Sequence, residues 1–151
     1  MSPHRKYSKT FKIAIHVVIW LLLSLLPFLL SYADSIDLLR IVRLVWVPML
    51  LYAVIFYLNY GLLISELLFE KKIIVYITFN VLLILAFTWV NYEVREYLNM
   101  ITETLADKAV RVLPPLPKSW YIYKDFISMI IPVIISIATK TVENWAKVET
   151  E

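Results

Sequence analysis

Long apolar runs nearly free of charge limit what this chain can fold into. No formal charge falls between Lys12 and Asp34, none between Lys72 and Glu93, and none between Asp125 and Lys140. A bilayer hydrocarbon core about 30 Å thick is crossed by roughly 20 apolar residues in a helix. No water reaches that depth, so the backbone of a spanning segment must satisfy its own hydrogen bonds, as a helix does. Four spans are expected, at about residues 11–31, 41–64, 73–91 and 120–139. The fold class is all-α: a single-domain, integral membrane four-helix bundle.

Composition closes the soluble alternatives. Of 151 residues, 61% are hydrophobic and 18% charged, against about 45–50% and about 25% in an ordinary soluble domain. A soluble chain of this length cannot hide that much apolar surface in its own core. A soluble globular enzyme, a disordered chain and a nucleic-acid-binding module are excluded, and the bilayer itself is the first partner. With no cysteine, disulfides, thiolate metal sites and cysteine nucleophiles are excluded as well. Gly61 is the one glycine, so neither a Gly-rich phosphate loop nor a GxxxG helix pair is available. His4 and His16 alone do not make a histidine-rich metal centre, and no cofactor is expected.

The first span follows Arg5, Lys6, Lys9 and Lys12, as a signal peptide would. Its apolar run exceeds a typical h-region of about 7–15 residues, and no A-x-A-like cleavage site follows, so it reads as a retained helix. Lys and Arg near the span ends set orientation. With the N-terminus inside, Arg5, Lys6, Lys9, Lys12, Lys71, Lys72, Lys140 and Lys147 lie inside, against Arg40, Arg43, Arg95, Lys108, Arg111, Lys118 and Lys124 outside. The flanks of the first helix favour both termini in the cytoplasm.

The segment after the third span has its own pattern. Val94, Leu98, Ile101, Leu105, Ala109 and Val112 share one helical face. Glu93 and Glu96 near its start and Lys108 and Arg111 near its end complement the helix dipole. Leu113-Pro114-Pro115-Leu116-Pro117 then stops it. An amphipathic extracytoplasmic helix over 92–113 is expected, either continuing the third span or lying on the membrane surface.

Few residues could carry chemistry. Asn80 lies eight positions past Lys72, about 12 Å into the membrane, where its amide needs a partner on another helix. It reads as a structural bond or as a ligand-sensing or proton-relay group. Ser24, Ser128 and Ser136 can satisfy themselves on their own helices. His16 sits four residues from Lys12, and reads as interfacial packing or as a pH switch. Asp34, Asp37, Arg40 and Arg43 crowd the first outer turn, as solvated anchors or as an outer ligand contact. Lys124 and Asp125 carry the same pair of readings at the mouth of the fourth span.

Pro27, Pro48 and Pro132 fall within spans, where a proline frees the carbonyl four residues earlier. Pro132 is an inert kink or a signalling hinge. Beyond it, Ala138, Val142, Trp145 and Val148 form a stripe with no Gly or Pro stop. That suits an exit helix over 140–151 as well as a short polar tail. No catalytic constellation is present, and the lack of an intramembrane carboxylate pair argues against a proton-coupled exporter.

Phe56-Tyr57-Leu58-Asn59-Tyr60, with Leu62-Leu63-Ile64, Leu67-Leu68-Phe69 and Lys71-Lys72, resembles a segment of the four-helix sensor regions of autolysin-sensor-like (LytS-type) histidine kinases of the Bacteroidetes. The first span, with His16 and Trp20, and the ending Glu143-Asn144-Trp145-Ala146-Lys147 are similar to the same pattern. The resemblance implies a sensory input module whose last helix passes a signal to a cytoplasmic kinase domain. It further implies a homodimer in the parent kinase and a cognate response regulator reached through that domain. The phosphoacceptor motif and ATP-binding domain lie outside a chain that stops at Glu151, so no enzyme activity of its own is expected. Asn80, His16, Asp37, Arg40, Arg43 and Asp125 are the candidate sensing residues, and Pro132, Val142 and Trp145 the candidate transmitters. The alternative is a stand-alone small membrane protein acting as an assembly or partner-binding subunit.

Overall fold

The computed structural model describes residues 9–31, 41–105 and 117–148, and every regular element among them is helical. In chain order these are α1 (Lys9–Ser31), α2 (Val42–Leu68), α3 (Ile73–Leu105) and α4 (Lys118–Val148). Among the described residues, α2, α3 and α4 are long and apolar enough to cross a membrane, while α1 contributes the shorter apolar stretch Ile13–Leu26. Among the described residues the protein is therefore all-α, with three long candidate spans and one shorter apolar helix.

The chain divides into two units, Met1–Trp46 and Val47–Glu151, with the boundary inside α2. In the first unit the Trp46 indole Nε1 donates to the Ser24 carbonyl at 3.1 Å, while Ser24 Oγ returns to the Trp20 carbonyl at 2.8 Å. The serine thus satisfies itself on its own helix, and its main chain anchors the start of α2.

The second unit holds three helices around one apolar core. Ile55 and Ile64 from α2, Tyr76 and Ile84 from α3, and Met129 and Val133 from α4 are its buried members. Only 22–28% of each span's most apolar stretch is buried within the chain. Outward side chains such as Leu50, Ile74, Leu82 and Ile134 are left for lipid, which dissolves them at no hydrophobic cost.

α2 is not a uniform helix. Val42–Trp46 and Asn59–Leu68 are π-helical, and Val47–Leu58 between them is α-helical. The second widening begins where the Asn59 amide donates to the Ile55 carbonyl one turn back, at 3.0 Å. A side chain that takes this carbonyl competes with the main-chain ladder and favours the wider i→i+5 turn. Gly61 lies in this segment, and a Cβ there would meet nothing within 4 Å. Gly61→Ala is therefore expected to stabilise the protein by about 0.5–1 kcal/mol through lower backbone entropy. A higher thermal unfolding midpoint in detergent checks this; a lower one would mean the widened turn needs glycine.

α2 ends in a tight reversal. Lys72 N–H donates to the Leu67 carbonyl at 2.8 Å and Lys71 N–H to the Leu68 carbonyl at 3.2 Å. This is the bonding pattern of a Schellman cap, with Lys71 at φ 60° where glycine usually stands. The chain turns directly into α3.

The amphipathic segment begins as the continuation of the third span. α3 has 33 residues, about 50 Å at 1.5 Å per residue, so it outruns the bilayer core. Residues 106–113 of the expected helix lie outside the described residues. The exit segment likewise continues its span: α4 is one helix of 31 residues that runs through Pro132 to Val148.

Candidate functional site

Three polar clusters link the helices of the second unit, one at each end and one between them. The middle cluster lies within apolar helix. Asn59 Nδ2 donates to Asn80 Oδ1 at 2.8 Å, and Tyr76 Oη donates to Asn59 Oδ1 at 2.8 Å. Asn80 Nδ2 returns to the Tyr76 carbonyl at 3.1 Å. Asn59 is fully buried, so an unbonded amide there would be costly; as built, both its polar atoms are bonded across to α3. Asn80 is thus bonded between helices. Its partners were missed, although Asn59 stood in the aromatic segment on which the family resemblance rests.

The end far from Lys71 and Lys72 is the chemically distinctive one. Asn91 and Arg95 are spaced i,i+4 and so share a face of α3, and both reach Asp125 on α4. Asn91 Nδ2 donates to Asp125 Oδ2 at 2.8 Å, and Arg95 Nη2 donates to the same oxygen. Lys124 Nζ stands 3.6 Å from Asp125 Oδ1. Asn91, Arg95 and Asp125 are 1%, 8% and 2% exposed. Reading Asp125 as a solvated anchor therefore fails, because its carboxylate is enclosed and paired. Arg95, counted by sequence among the outer charges, is enclosed with it.

The pair is asymmetric. Both strong bonds go to one carboxylate oxygen, and the Arg95 guanidinium does not grip Asp125 as a two-pronged fork. Its Nε and Nη1 are buried with no hydrogen-bond partner, while its Cζ lies 5.1 Å from the centroid of the Tyr121 ring. Each buried donor without an acceptor costs roughly 1–3 kcal/mol. Aromatic side chains crowd this end. Trp89, Tyr97, Trp120 and Tyr123 point outward, and Lys118 Nζ lies 5.8 Å from the Tyr92 ring. Such a belt marks the level where hydrocarbon gives way to headgroups.

At the opposite end, Tyr60 Oη donates to Glu143 Oε2 at 2.7 Å. Lys140 Nζ sits 4.6 Å over the Tyr60 ring, which stacks on Phe56 at 5.7 Å. α2 is thereby tied to α4 where α4 begins its extension.

The remaining candidates scatter. His16 is partly buried on α1 and Arg43 partly buried in the first π-helical turn, both in the first unit. Asp34, Asp37 and Arg40 lie outside the described residues. Ser128 Oγ donates to the Lys124 carbonyl and Ser136 Oγ to the Val133 carbonyl, at 2.8 and 2.7 Å. Pro132 is buried in the core face of α4, whereas Val142 and Trp145 are 68% and 71% exposed. Among the described residues, no group of three His, Asp or Glu side chains could hold a metal ion.

Comparison with protein-family models, with curated proteins and with solved structures gives no match to this chain. The helices themselves define its class: an all-α, multi-pass membrane protein.

Proposed function

We propose that this chain is a membrane-embedded sensory input module of a histidine kinase, with α4 as its signal-carrying element. The observation that supports this most is the continuity of α4. It bears Asp125 of the far cluster, passes Pro132 in the core, contacts Tyr60 through Glu143, and continues to Val148 without a break. A change at the Arg95–Asp125 end reaches the other end through one helix, and a buried proline offers a point of bending. In this reading both termini are cytoplasmic, the membrane is the bacterial inner membrane, and the parent kinase is a homodimer acting on its response regulator. The outward Val142, Trp145 and Val148 stripe then faces the partner helix.

Helix phase provides the test. Inserting one to four residues after Lys147 turns everything downstream by about 100° per residue. Autophosphorylation of the kinase domain that this reading places beyond Glu151 should rise and fall with helical period. A coding frame with no such domain, or output indifferent to phase, would overturn the sensor in favour of a stand-alone partner-binding subunit.

A further inference from the structure

Lys140 and Glu143 on α4 stand at a depth where the neighbouring helix presents isoleucines to lipid. α3 and α4 run antiparallel, with Thr88 meeting Met129 and both Asn91 and Arg95 bonded to Asp125. Continued at an equal rise per residue, this register sets Lys140 level with Ile77, Glu143 with Ile74, and Lys147 with the Lys71–Lys72 turn. α2 agrees with it: the Tyr60 ring under Lys140 follows Asn59, which is bonded to Tyr76 and Asn80. Ile74 and Ile77 are 82% and 55% exposed, as lipid-facing residues are. With the lysines of the turn and Lys147 at the headgroups, Lys140 lies about 7.5 Å and Glu143 about 3 Å inside the hydrocarbon. Charge at that depth is costly unless it is paired or hydrogen-bonded. Tyr60 supplies both contacts, since its hydroxyl donates to Glu143 and its ring lies under Lys140.

We infer that the Tyr60–Glu143 bond is a clasp between α2 and α4 that closes in a thick bilayer and opens in a thin one. In a thick bilayer water stays away from Glu143, and a hydrogen bond in that low-dielectric setting is strong. A thinner bilayer brings the polar boundary up to Glu143 and then to Lys140. Water then competes for the carboxylate, and the lysine leaves the ring for the headgroups. The Arg95–Asp125 end is enclosed by protein and stays joined to α3. Release at Glu143 therefore frees the other end of α4, with Pro132 as its point of bending. The partner is the lipid surface itself. The clasp gives the proposed sensor a stimulus and rests on that reading only for its consequence, since it is measured with no kinase readout.

The test uses the full chain in vesicles of phosphatidylcholines whose acyl chains give hydrocarbon cores on either side of about 30 Å. The chain has no cysteine, so Glu70→Cys and Val148→Cys, at exposed residues, take one pair of spin labels at the ends of α2 and α4. Bending α4 by about 20° at Pro132 moves Val148, about 24 Å away, by about 8 Å. The label distance should lengthen by about that much as the bilayer thins. Tyr60→Phe removes the donor and Glu143→Gln the charge, and each should flatten this response; either serves if the other fails to fold. A second pair at Tyr97→Cys and Ser119→Cys, both exposed and near the Arg95–Asp125 end, should keep its distance throughout. A label distance indifferent to thickness, a response kept by both variants, or an equal movement of the second pair would refute the clasp.

Discussion

Asp125→Ala is expected to destabilise the protein by about 3–5 kcal/mol, because it strands a buried guanidinium. Arg95 already carries two donors without acceptors, and losing Asp125 removes the one acceptor it has. Asn91 would lose its bond at the same time. The pair itself is worth far less than its breakage. Two charges must leave water to form it, so replacing Arg95 and Asp125 together by leucine should return stability to within about 1–2 kcal/mol of the starting chain. Equilibrium unfolding in mixed micelles measures both variants. A cost below about 1 kcal/mol for Asp125→Ala would show that the carboxylate is hydrated rather than enclosed.

Asn59→Leu should produce the second large loss, about 2–4 kcal/mol, and Tyr76→Phe only about 1 kcal/mol. Hydrogen bonds between membrane helices average little more than half a kcal/mol, so the bond itself does not decide the comparison. What decides it is how many buried groups are stranded. Asn59 accepts from Tyr76 and donates to Asn80, and its removal leaves a phenol and an amide oxygen facing hydrocarbon. Losing the Tyr76 hydroxyl leaves one oxygen of Asn59 short of a donor. Equal losses in the two variants, measured in the same unfolding experiment, would contradict the hub role of Asn59.

Much of the architecture is legible without coordinates, because apolar length and charge-free stretches are properties of composition along the chain. Asn80 stands out the same way, since its depth follows from counting past Lys72. Its partner does not, because pairing depends on how α2 and α3 are rotated about their axes, and that rotation is set by side-chain packing. The π-helical start at Asn59 changes this rotation, and no residue pattern announces it. Arg95 shows the converse failure. Its neighbours Glu93 and Glu96 give the segment a solvated character, yet the i,i+4 spacing of Asn91 and Arg95 places two polar groups on one face. That spacing, matched to an acid seven residues into α4, is the signal that could have exposed the cluster.

The Schellman turn at Lys71 has a consequence for how the protein is made. It joins α2 directly to α3, and the bonds among Asn59, Tyr76 and Asn80 lie entirely within those two consecutive helices. A ribosome that has finished α3 has supplied every group of this ring. The two helices can enter the bilayer as a closed hairpin before α4 is synthesised. Arg95 has no such early relief, since its acid is encoded on the helix still to come. In chain order, then, the α2–α3 pair is complete in its own polar bonds, and α4 supplies the acid that Arg95 lacks until the end.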